Sequence, residues 1–451
     1  MRITIIGGGK VGLSLARSLI SENHEITLVD TDEQVIDRAG NSLDIICYAG
    51  NGASFAALKD LEIESCDLVI AVTGSDELNL LCCLIAKRAG DCLTIARVKN
   101  PAYSSEADYL KDELGLAMVI NPEHAAAAEI ARVLHFPSAI KIDTFAGGRV
   151  ELLKYKVPEG SRLKGMAVKD VVAKLGCDVL VCTVERGDEA YIADGNFVFE
   201  EKDIISVVGS PKSAADFFHT IGYKTRAVKD VMVVGGGETA QYLCSILHRA
   251  GVAVKIIEKK PEVCDELCVK FPEVSVICGD ASDQSLLMEE GIGSASAFVA
   301  LTGLDEENIF LSLFAKSIGR PKVVTKINRI AFNDVIKHLD LDSTIYPKNI
   351  TSDLIARYVR AMKNSMGSSM ETLYNIIQGK VEATEYTVKE GSPVTGTPLM
   401  KLNKKRDVLV AAIIRKDQVI IPRGSDVILA GDRVVVVSRA KMMDDIADML
   451  A

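Results

Sequence analysis

The chain opens on a short apolar run, Ile3–Thr4–Ile5–Ile6, that breaks into glycines at Gly7. Leu13, Leu15, Ala16, Leu19 and Ile20 then recur at helical spacing, and a second apolar run, Ile26–Thr27–Leu28–Val29, ends on Asp30. Short, nearly continuous apolar runs read as strands buried on both faces, and stretches of period 3.6 as the helices that cover them. The same alternation predicts a helix over 33–40, a strand over 44–48, a helix ending at Lys59 and a strand over 68–72. A helix over 76–89, a strand over 93–98, a helix containing Tyr109 and Leu110, and a strand over 118–120 follow. Strands separated by helices predict a doubly wound parallel sheet. From about Lys141 the rhythm changes. Short strands over 150–156, 179–184, 190–192 and 204–208 are punctuated by Pro158–Glu159–Gly160, Arg186–Gly187–Asp188 and Asp194–Gly195–Asn196, with one helix over 167–175. That predicts a small α+β module.

The pattern then repeats. Val231–Met232–Val233–Val234 precedes Gly235–Gly236–Gly237–Glu238–Thr239–Ala240, and the strand over 254–257 ends on Glu258. Gly279–Asp280–Ala281–Ser282 answers Gly50–Asn51–Gly52–Ala53, and the stretch from Ala300 to Asn308 answers that from Ala71 to Asn79 at an offset of 229. The small module recurs too, with Glu390–Gly391–Ser392 for Glu159–Gly160–Ser161, and Gly424 and Asp432 for Gly195 and Asp203. The chain is therefore a tandem duplication of a two-domain unit, divided as 1–137, 138–224, 225–368 and 369–451.

Strand, glycine turn, helix, strand and acid, in that order, form the dinucleotide-binding fingerprint. Gly7 permits the tight turn off the strand, Gly9 lets backbone N–H groups approach a pyrophosphate, and Gly12 lets the helix pack closely. The helix start at Lys10 and Val11 faces the phosphates with its positive dipole end. Asp30, eighteen residues after Gly12, is placed to accept both ribose hydroxyls and to repel a 2′-phosphate, so NAD(H) is expected over NADP(H). Gly8, Thr31, Asn51, Gly52, Thr73, Gly74 and Arg97 complete the first expected site, with Arg97 reaching a phosphate. Lys10 reads either as an extra cation or, more plainly, as a solvated first-turn lysine. The second expected site comprises Gly235, Gly236, Gly237, Glu238, Thr239, Glu258, Asp280, Thr302 and Gly303. There Ala240 replaces Gly12, Glu258 replaces Asp30 and Lys326 replaces Arg97, changes that still admit a nucleotide.

Composition narrows the function. The 451 residues are 48% hydrophobic and 25% charged with a net charge of −10, which argues against a nucleic-acid binder. Eleven cysteines lie scattered without a CxxC pair, mostly in apolar runs. They read as reduced and structural, as in a cytosolic protein; Cys264 and Cys268 share a helix face, but no cluster completes a metal site. The first strand begins at residue 3, which leaves no room for a signal peptide, and no apolar run approaches the roughly 18–20 residues of a membrane span. A soluble protein is expected.

No catalytic set emerges. Asp76–Glu77 and Asp305–Glu306 read as first-turn residues at helix starts rather than paired acid–base carboxylates. The six histidines are isolated, and His338–Leu339–Asp340 reads as a helix end rather than part of a triad. Asn79 and Asn308 are candidates for contact with a sheet or a ligand. The rival reading, an NAD-dependent oxidoreductase of unknown substrate, would need a proton donor from another domain, and the small modules offer no such set.

These residues together resemble the TrkA family of Trk system potassium-uptake proteins with tandem RCK (also called KTN) domains. The resemblance rests on Gly7–Gly8–Gly9–Lys10–Val11–Gly12 with Asp30, on Ala71 to Asn79, on Ala96–Arg97–Val98–Lys99–Asn100–Pro101, on their second copies, and on Gly424 to Val437, which fits the closing pattern of an RCK C-terminal subdomain. It implies tandem Rossmann-like domains, each followed by a small α+β subdomain. It implies a non-enzymatic, peripheral subunit on the inner face of the cell membrane that binds NAD(H), and by the same resemblance ATP or ADP, and biases the gate of a Trk-type K⁺ transporter. Helical segments 125–134 and 352–363 would pack across paired nucleotide-binding domains of a homo-oligomer; whether that pairing is within or between chains is left open.

Overall fold

The computed structural model describes residues 1–100, 103, 106–136, 139–187, 189–221, 228–319, 321–329, 335–336, 339, 341–365, 369–377, 380–416, 418–439, 443 and 445–451. Pro101, Asp188, His338 and Asp340, used above, lie outside them.

Six strands form the first sheet: β1 (Arg2–Ile6), β2 (Glu25–Asp30), β3 (Ile46–Ala49), β4 (Leu68–Ala71), β5 (Leu93–Arg97) and β6 (Met118–Ile120). Their order is β3-β2-β1-β4-β5-β6, and all pairs are parallel. The central strands are apolar on both faces because helices cover both. These are α1 (Lys10–Ile20), α2 (Glu33–Ser42), α3 (Phe55–Asp60), α4 (Asp76–Ala89), α5 (Ala107–Glu113) and α6 (Pro122–His135). Ile6, Val69, Ala71 and Ala96 of the sheet are buried in one core with Leu58, Cys82, Cys83 and Ala86. Strand order reverses between β1 and β4, so Gly7 and Thr73 stand at the switch point where open α/β sheets take ligands.

A five-stranded antiparallel sheet follows, of β7 (Lys141–Phe145), β8 (Val150–Lys156), β9 (Leu180–Arg186), β10 (Glu189–Ile192) and β11 (Ile204–Gly209) in the order β10-β9-β11-β8-β7. Helices α7 (Val168–Leu175) and α8 (Pro211–Thr220) accompany it. Strand β7 and helix α8 are absent from the pattern reading. Both had local signals. The turn between β7 and β8 runs through Ala146, Gly147 and Gly148, all at positive φ, and Ser210 caps α8 by accepting from the Ser213 N–H at 3.1 Å, with Pro211 opening the helix.

The second half repeats this plan. Strands β12 (Asp230–Val234), β13 (Ala253–Glu258), β14 (Ser275–Cys278), β15 (Ala297–Ala300), β16 (Lys322–Lys326) and β17 (Ser343–Ile345) form a sheet ordered β14-β13-β12-β15-β16-β17. It carries α9 (Glu238–Arg249), α10 (Pro261–Lys270), α11 (Gln284–Glu289), α12 (Asp305–Ile318) and α13 (Pro347–Ser365). Strands β18 (Met370–Ile377), β19 (Val381–Thr387), β20 (Val408–Arg415), β21 (Gln418–Ile420) and β22 (Arg433–Arg439) form the last sheet, ordered β18-β19-β22-β20-β21.

The chain resolves into two compact units, residues 1–131 with 228–356 and residues 132–227 with 357–451. The two halves therefore contact each other within one chain. In the first unit the Asn121 Nδ2 donates to Tyr242 Oη at 2.9 Å, the Tyr242 hydroxyl donates to the Lys99 carbonyl at 3.2 Å, and His124 stands edge-on to Tyr242. Ala126, Ala127 and Ile130 of α6 and Ile355 and Ala356 of α13 are fully buried. In the second unit Phe145, Leu152, Cys182 and Val208 share a core with Tyr374, Ala383, Ala411 and Val435, and the Tyr374 hydroxyl donates to the Thr144 carbonyl at 3.0 Å.

The described cysteines are all free, but Cys268 and Cys278 are exposed, so a purely hydrophobic role does not hold for them. Cys264 and Cys268 diverge because α10 lies at the surface. Cys264 turns inward, its thiol donating to the Glu258 carbonyl at 3.3 Å. Among the described residues no helix is long and apolar enough to cross a membrane.

Candidate nucleotide sites

The two glycine turns adopt the same local geometry. Gly7 has φ +107°, and a Cβ on it would stand 2.9 Å from the Thr73 nitrogen; Gly235 has φ +97° against Leu301 and Thr302. Only glycine permits this conformation and this approach of the turn to the neighbouring strand end. Gly12 lies under the turn, where a Cβ would meet the Gly7 carbonyl oxygen at 1.9 Å. Its counterpart Ala240 is fully buried, so α9 stands off its turn by enough to admit a methyl group.

The acids at the ends of β2 and β13 hold these turns in shape. Asp30 accepts from the Gly8 N–H at 2.6 Å and the Asp32 N–H at 2.9 Å. Glu258 accepts from the Gly236 N–H at 2.7 Å and the Lys260 N–H at 2.9 Å. Each carboxylate is thereby oriented beside the loop, where a ribose diol would meet it, and Thr31 is exposed next to Asp30.

Side chains cap three helix starts of the first domain. Asp32 caps α2, Ser54 caps α3 and Ser75 caps α4. Helices α1 and α9 begin instead after glycines, Gly9 and Gly237, and neither has a side-chain cap. The first N–H groups of α1 and α9 are thus left for an external acceptor, which is the arrangement that binds phosphate. A Cβ on Gly9 or Gly237 would meet no atom within 4 Å, so open space lies in front of both.

Strand ends build the opposite wall. The Thr73 N–H donates to Asn79 Oδ1 at 2.7 Å, and Asn79 Nδ2 donates to the Arg97 carbonyl at 2.9 Å. Asn308 repeats this, accepting from the Thr302 N–H at 2.8 Å and donating to the Lys326 carbonyl at 3.0 Å. These buried amides tie the ends of adjacent strands together, which leaves Gly74 and Gly303 exposed at the rim. Asn51 and Asp280 each close a local turn, accepting from the Ala53 and Ser282 N–H groups at 2.9 Å. The Ser282 N–H holds the Asp280 carboxyl below its usual range. Gly52 is buried against Ile6.

The first-turn acids do more than accompany the helix dipole. Ser75 supplies the cap of α4, while Asp76 reaches across to accept from the Lys99 and Asn100 N–H groups at 3.0 and 2.8 Å. Asp305 accepts likewise from the Asn328 and Arg329 N–H groups at 2.8 and 2.7 Å. Each acid fixes the loop after the next strand.

Arg97 is engaged by protein. Its guanidinium donates to the Thr73 carbonyl at 3.3 Å and pairs with Glu123 at 3.4 Å, yet Arg97 Nε and Glu123 Oε2 are buried without a hydrogen-bond partner. Lys326 donates to the Leu301 carbonyl at 2.9 Å, and burial lowers its pKa despite Asp305 and Glu123 nearby.

A cavity of about 260 Å³ lies inside the first unit, walled by both halves. Lys10, Arg97 and Glu123 line it from the first half, and Asp305, Arg329 and Lys348 from the second. Burial and the nearby Lys10 and Arg17 lower the Lys348 pKa. Glu123, Arg329 and Lys348 are absent from the sequence-derived set. Glu123 and Lys348 follow Pro122 and Pro347 at the starts of corresponding helices, the one sequence signal available, but their convergence arises only when the halves pair.

With this geometry in hand, comparison with known proteins is direct. The TrkA-N domain family matches residues 3–122 and 231–347, and the TrkA-C domain family residues 152–222 and 383–451. The Trk system potassium uptake protein TrkA homolog 1 of Methanosarcina mazei is 33% identical, with 99% of each chain covered. The TrkA homolog of Archaeoglobus fulgidus is 31% identical over the whole of both chains. TrkA of Haemophilus influenzae is 30% identical over 97% of this chain and 95% of its own. Among solved structures, the GsuK RCK domain superposes with a TM-score of 0.62 at 18% identity, covering 97% of this chain and 92% of that one. The GsuK channel bound to NAD gives the same TM-score and identity over 97% of this chain and 77% of that one. These two establish likeness of fold.

Proposed function

The chain belongs to the TrkA family of Trk system potassium uptake proteins, and from that premise we propose that it is the regulatory subunit of a Trk-type K⁺ transporter. In this reading it is not an enzyme. It binds NAD(H), and ATP or ADP, docks on the inner face of the cell membrane under the transporter, and biases its gate. Chains associate further through repeat-equivalent outer faces: Leu81 on α4 and Phe310 on α12 are 46% and 71% exposed, and a ring of copies would cover them.

The observation that carries this reading is the cavity between the halves. A ligand shifts a conformational equilibrium only by its differential affinity for the two states, so a nucleotide that acts as a switch must touch elements that move relative to one another. The uncapped helix starts at Gly9 and Gly237 supply phosphate-binding N–H groups. Residues of the opposite half stand across the cavity from Lys10. Nucleotide occupancy would thereby set the spacing of the halves. A differential of about 2–3 kcal/mol suffices to move a balanced gate from mostly closed to mostly open, within reach of one or two charge-assisted phosphate contacts.

The test is K⁺ flux through the membrane partner reconstituted with this protein, under NAD⁺, NADH, ADP, ATP and no nucleotide. Flux that differs among these supports the switch; equal flux in all five conditions rejects it. Turnover of NADH with a panel of carbonyl compounds would favour the oxidoreductase instead. Titration calorimetry with NAD(H) and NADP(H) tests Asp30, and equal affinity would remove the role given to its carboxylate.

A further inference from the structure

Two thiols meet beside the second glycine turn. Cys264 lies one turn into α10, and Cys278 is the last residue of β14. Strand β14 runs parallel to β13 with Cys278 in register with Glu258. The Glu258 carbonyl accepts twice, from the Gly279 N–H at 2.9 Å and from the Cys264 thiol at 3.3 Å. The Cys264 sulfur is thereby held beside the backbone that carries Cys278. Alternation along β14 completes the approach. Ile277 packs against the core of Phe298 and Leu311, so Cys278 points to the opposite face, where its thiol interacts with that of Cys264. Cys278 is exposed and Cys264 buried. Burial, and then the neighbouring Cys278, push the Cys264 thiol above its usual range, so an oxidant reaches Cys278 first.

The first half has no such pair. Ala49 stands in register with Asp30 where Cys278 answers Glu258. Ile36 follows Asp32 by four residues as Cys264 follows Lys260, the two residues whose N–H groups the strand-end acids hold. Helix α10 also braces the second turn. A Cβ on Gly236 would meet Leu267 at 2.6 Å and Val263 at 3.1 Å, and Glu258 accepts from the Gly236 N–H at 2.7 Å. The residue that binds Cys264 through its carbonyl therefore binds the turn through its carboxylate.

We propose that Cys264 and Cys278 are a site of reversible oxidation by hydroperoxides, and that their disulfide weakens nucleotide binding at the second site while leaving the first unchanged. The Cys278 thiolate attacks one peroxide oxygen, the O–O bond breaks, and the other oxygen takes up a proton and leaves as water or alcohol. The Cys264 sulfur then attacks the Cys278 sulfenic acid. An S–S bond forms, the S–O bond breaks, and the hydroxyl leaves as water with the Cys264 proton. A dithiol reverses the bond by exchange. Oxidation removes the thiol hydrogen from the Glu258 carbonyl and draws α10 toward the end of β14, which disturbs the packing of Val263 and Leu267 on the turn. The weakening rests on the reading that the second glycine turn holds a nucleotide.

The full chain is treated with hydrogen peroxide and its peptides are mapped by mass spectrometry without reduction. A Cys264–Cys278 cross-link that dithiothreitol reverses is expected. It should persist in Cys268→Ser and vanish in Cys278→Ser. Cross-linking through Cys268 instead, or sulfinic acid without a cross-link, overturns the pair. Calorimetric titration with NAD⁺ and ADP then follows each site, with Gly9→Val closing the first loop or Gly237→Val the second, each side chain entering open space. In Gly9→Val, oxidation is expected to weaken binding about fivefold, the scale of one lost hydrogen bond, and Cys278→Ser should abolish that change. In Gly237→Val, oxidation should change nothing. Unchanged affinity in oxidised Gly9→Val, or an equal loss in oxidised Gly237→Val, overturns the coupling and leaves the proposed function standing. A reduced Gly9→Val chain that binds neither nucleotide overturns the nucleotide reading of the second turn and the coupling with it, while the peptide map decides the thiol pair on its own.

Discussion

Gly12 and Ala240 occupy the same place in the two halves under opposite steric conditions. A methyl group on Gly12 would collide with the Gly7 carbonyl, while Ala240 sits buried without displacing its turn. Gly12→Ala is expected to destabilise the chain by about 1–3 kcal/mol through forced displacement of α1. Ala240→Gly should cost only the roughly 1 kcal/mol difference in helix propensity. Urea denaturation of both variants checks the contrast. Lys322 is a second residue whose surroundings decide its behaviour. Burial pushes its pKa down from 10.5 to about 8, with Asp342 opposing the fall and Lys316 adding to it. Between those values the unfolded chain holds the proton and the folded chain does not, so stability rises as pH increases through that window. Below about pH 8 both states are protonated and the full penalty of a buried ammonium applies. A slope of at most about 1.4 kcal/mol per pH unit should appear in wild-type denaturation between pH 8 and 10. It should be smaller in Lys322→Met, which is also expected to be more stable at pH 7.

At the level of elements, the recurrent device is a side chain on one helix that ties together the ends of neighbouring strands. Asn79 and Asn308 do this with near-identical distances. Asp76 and Asp305 fix the following loops. Asn79→Ala would leave the Thr73 N–H and the Arg97 carbonyl unpaired at a buried position, at about 1–3 kcal/mol for each unsatisfied group. Hydrogen exchange should show lost protection at Thr73 and unchanged protection at Thr302. Unchanged exchange at Thr73 would mean the bracket does not hold the rim. The existence of these helices and strands was legible from periodicity, because a helix buried along one face and a strand buried on two leave different apolar spacing. Strand β7 and helix α8 went unread although a Gly147–Gly148 turn and a Ser210–Pro211 start marked them. Their apolar runs are short, and turn and cap chemistry rather than periodicity identifies them.

At the scale of the whole molecule, duplication places two like domains in one chain and lets them differ. The halves meet inside the chain, while the faces of α4 and α12 carrying Leu81 and Phe310 remain exposed. Light scattering at micromolar concentration is expected to show an oligomer that Leu81→Glu with Phe310→Glu dissociates. A wild-type monomer would reject further assembly.

Met1 to Asp30 and its copy from Val231 to Glu258 carried their meaning in the linear order of strand, glycines, helix and acid. Those constraints are local: a turn of positive φ needs glycine wherever it occurs, and a carboxylate at a strand end lies beside the preceding turn in any such sheet. By itself the sequence determined the duplicated architecture and both glycine turns. The partners of Lys10 and Glu238, the meeting of Glu123 with Lys348 around one cavity, and the pairing of halves within a chain were decided only in three dimensions. Such contacts join residues more than one hundred positions apart, and no periodicity or spacing encodes which face of one half meets the other.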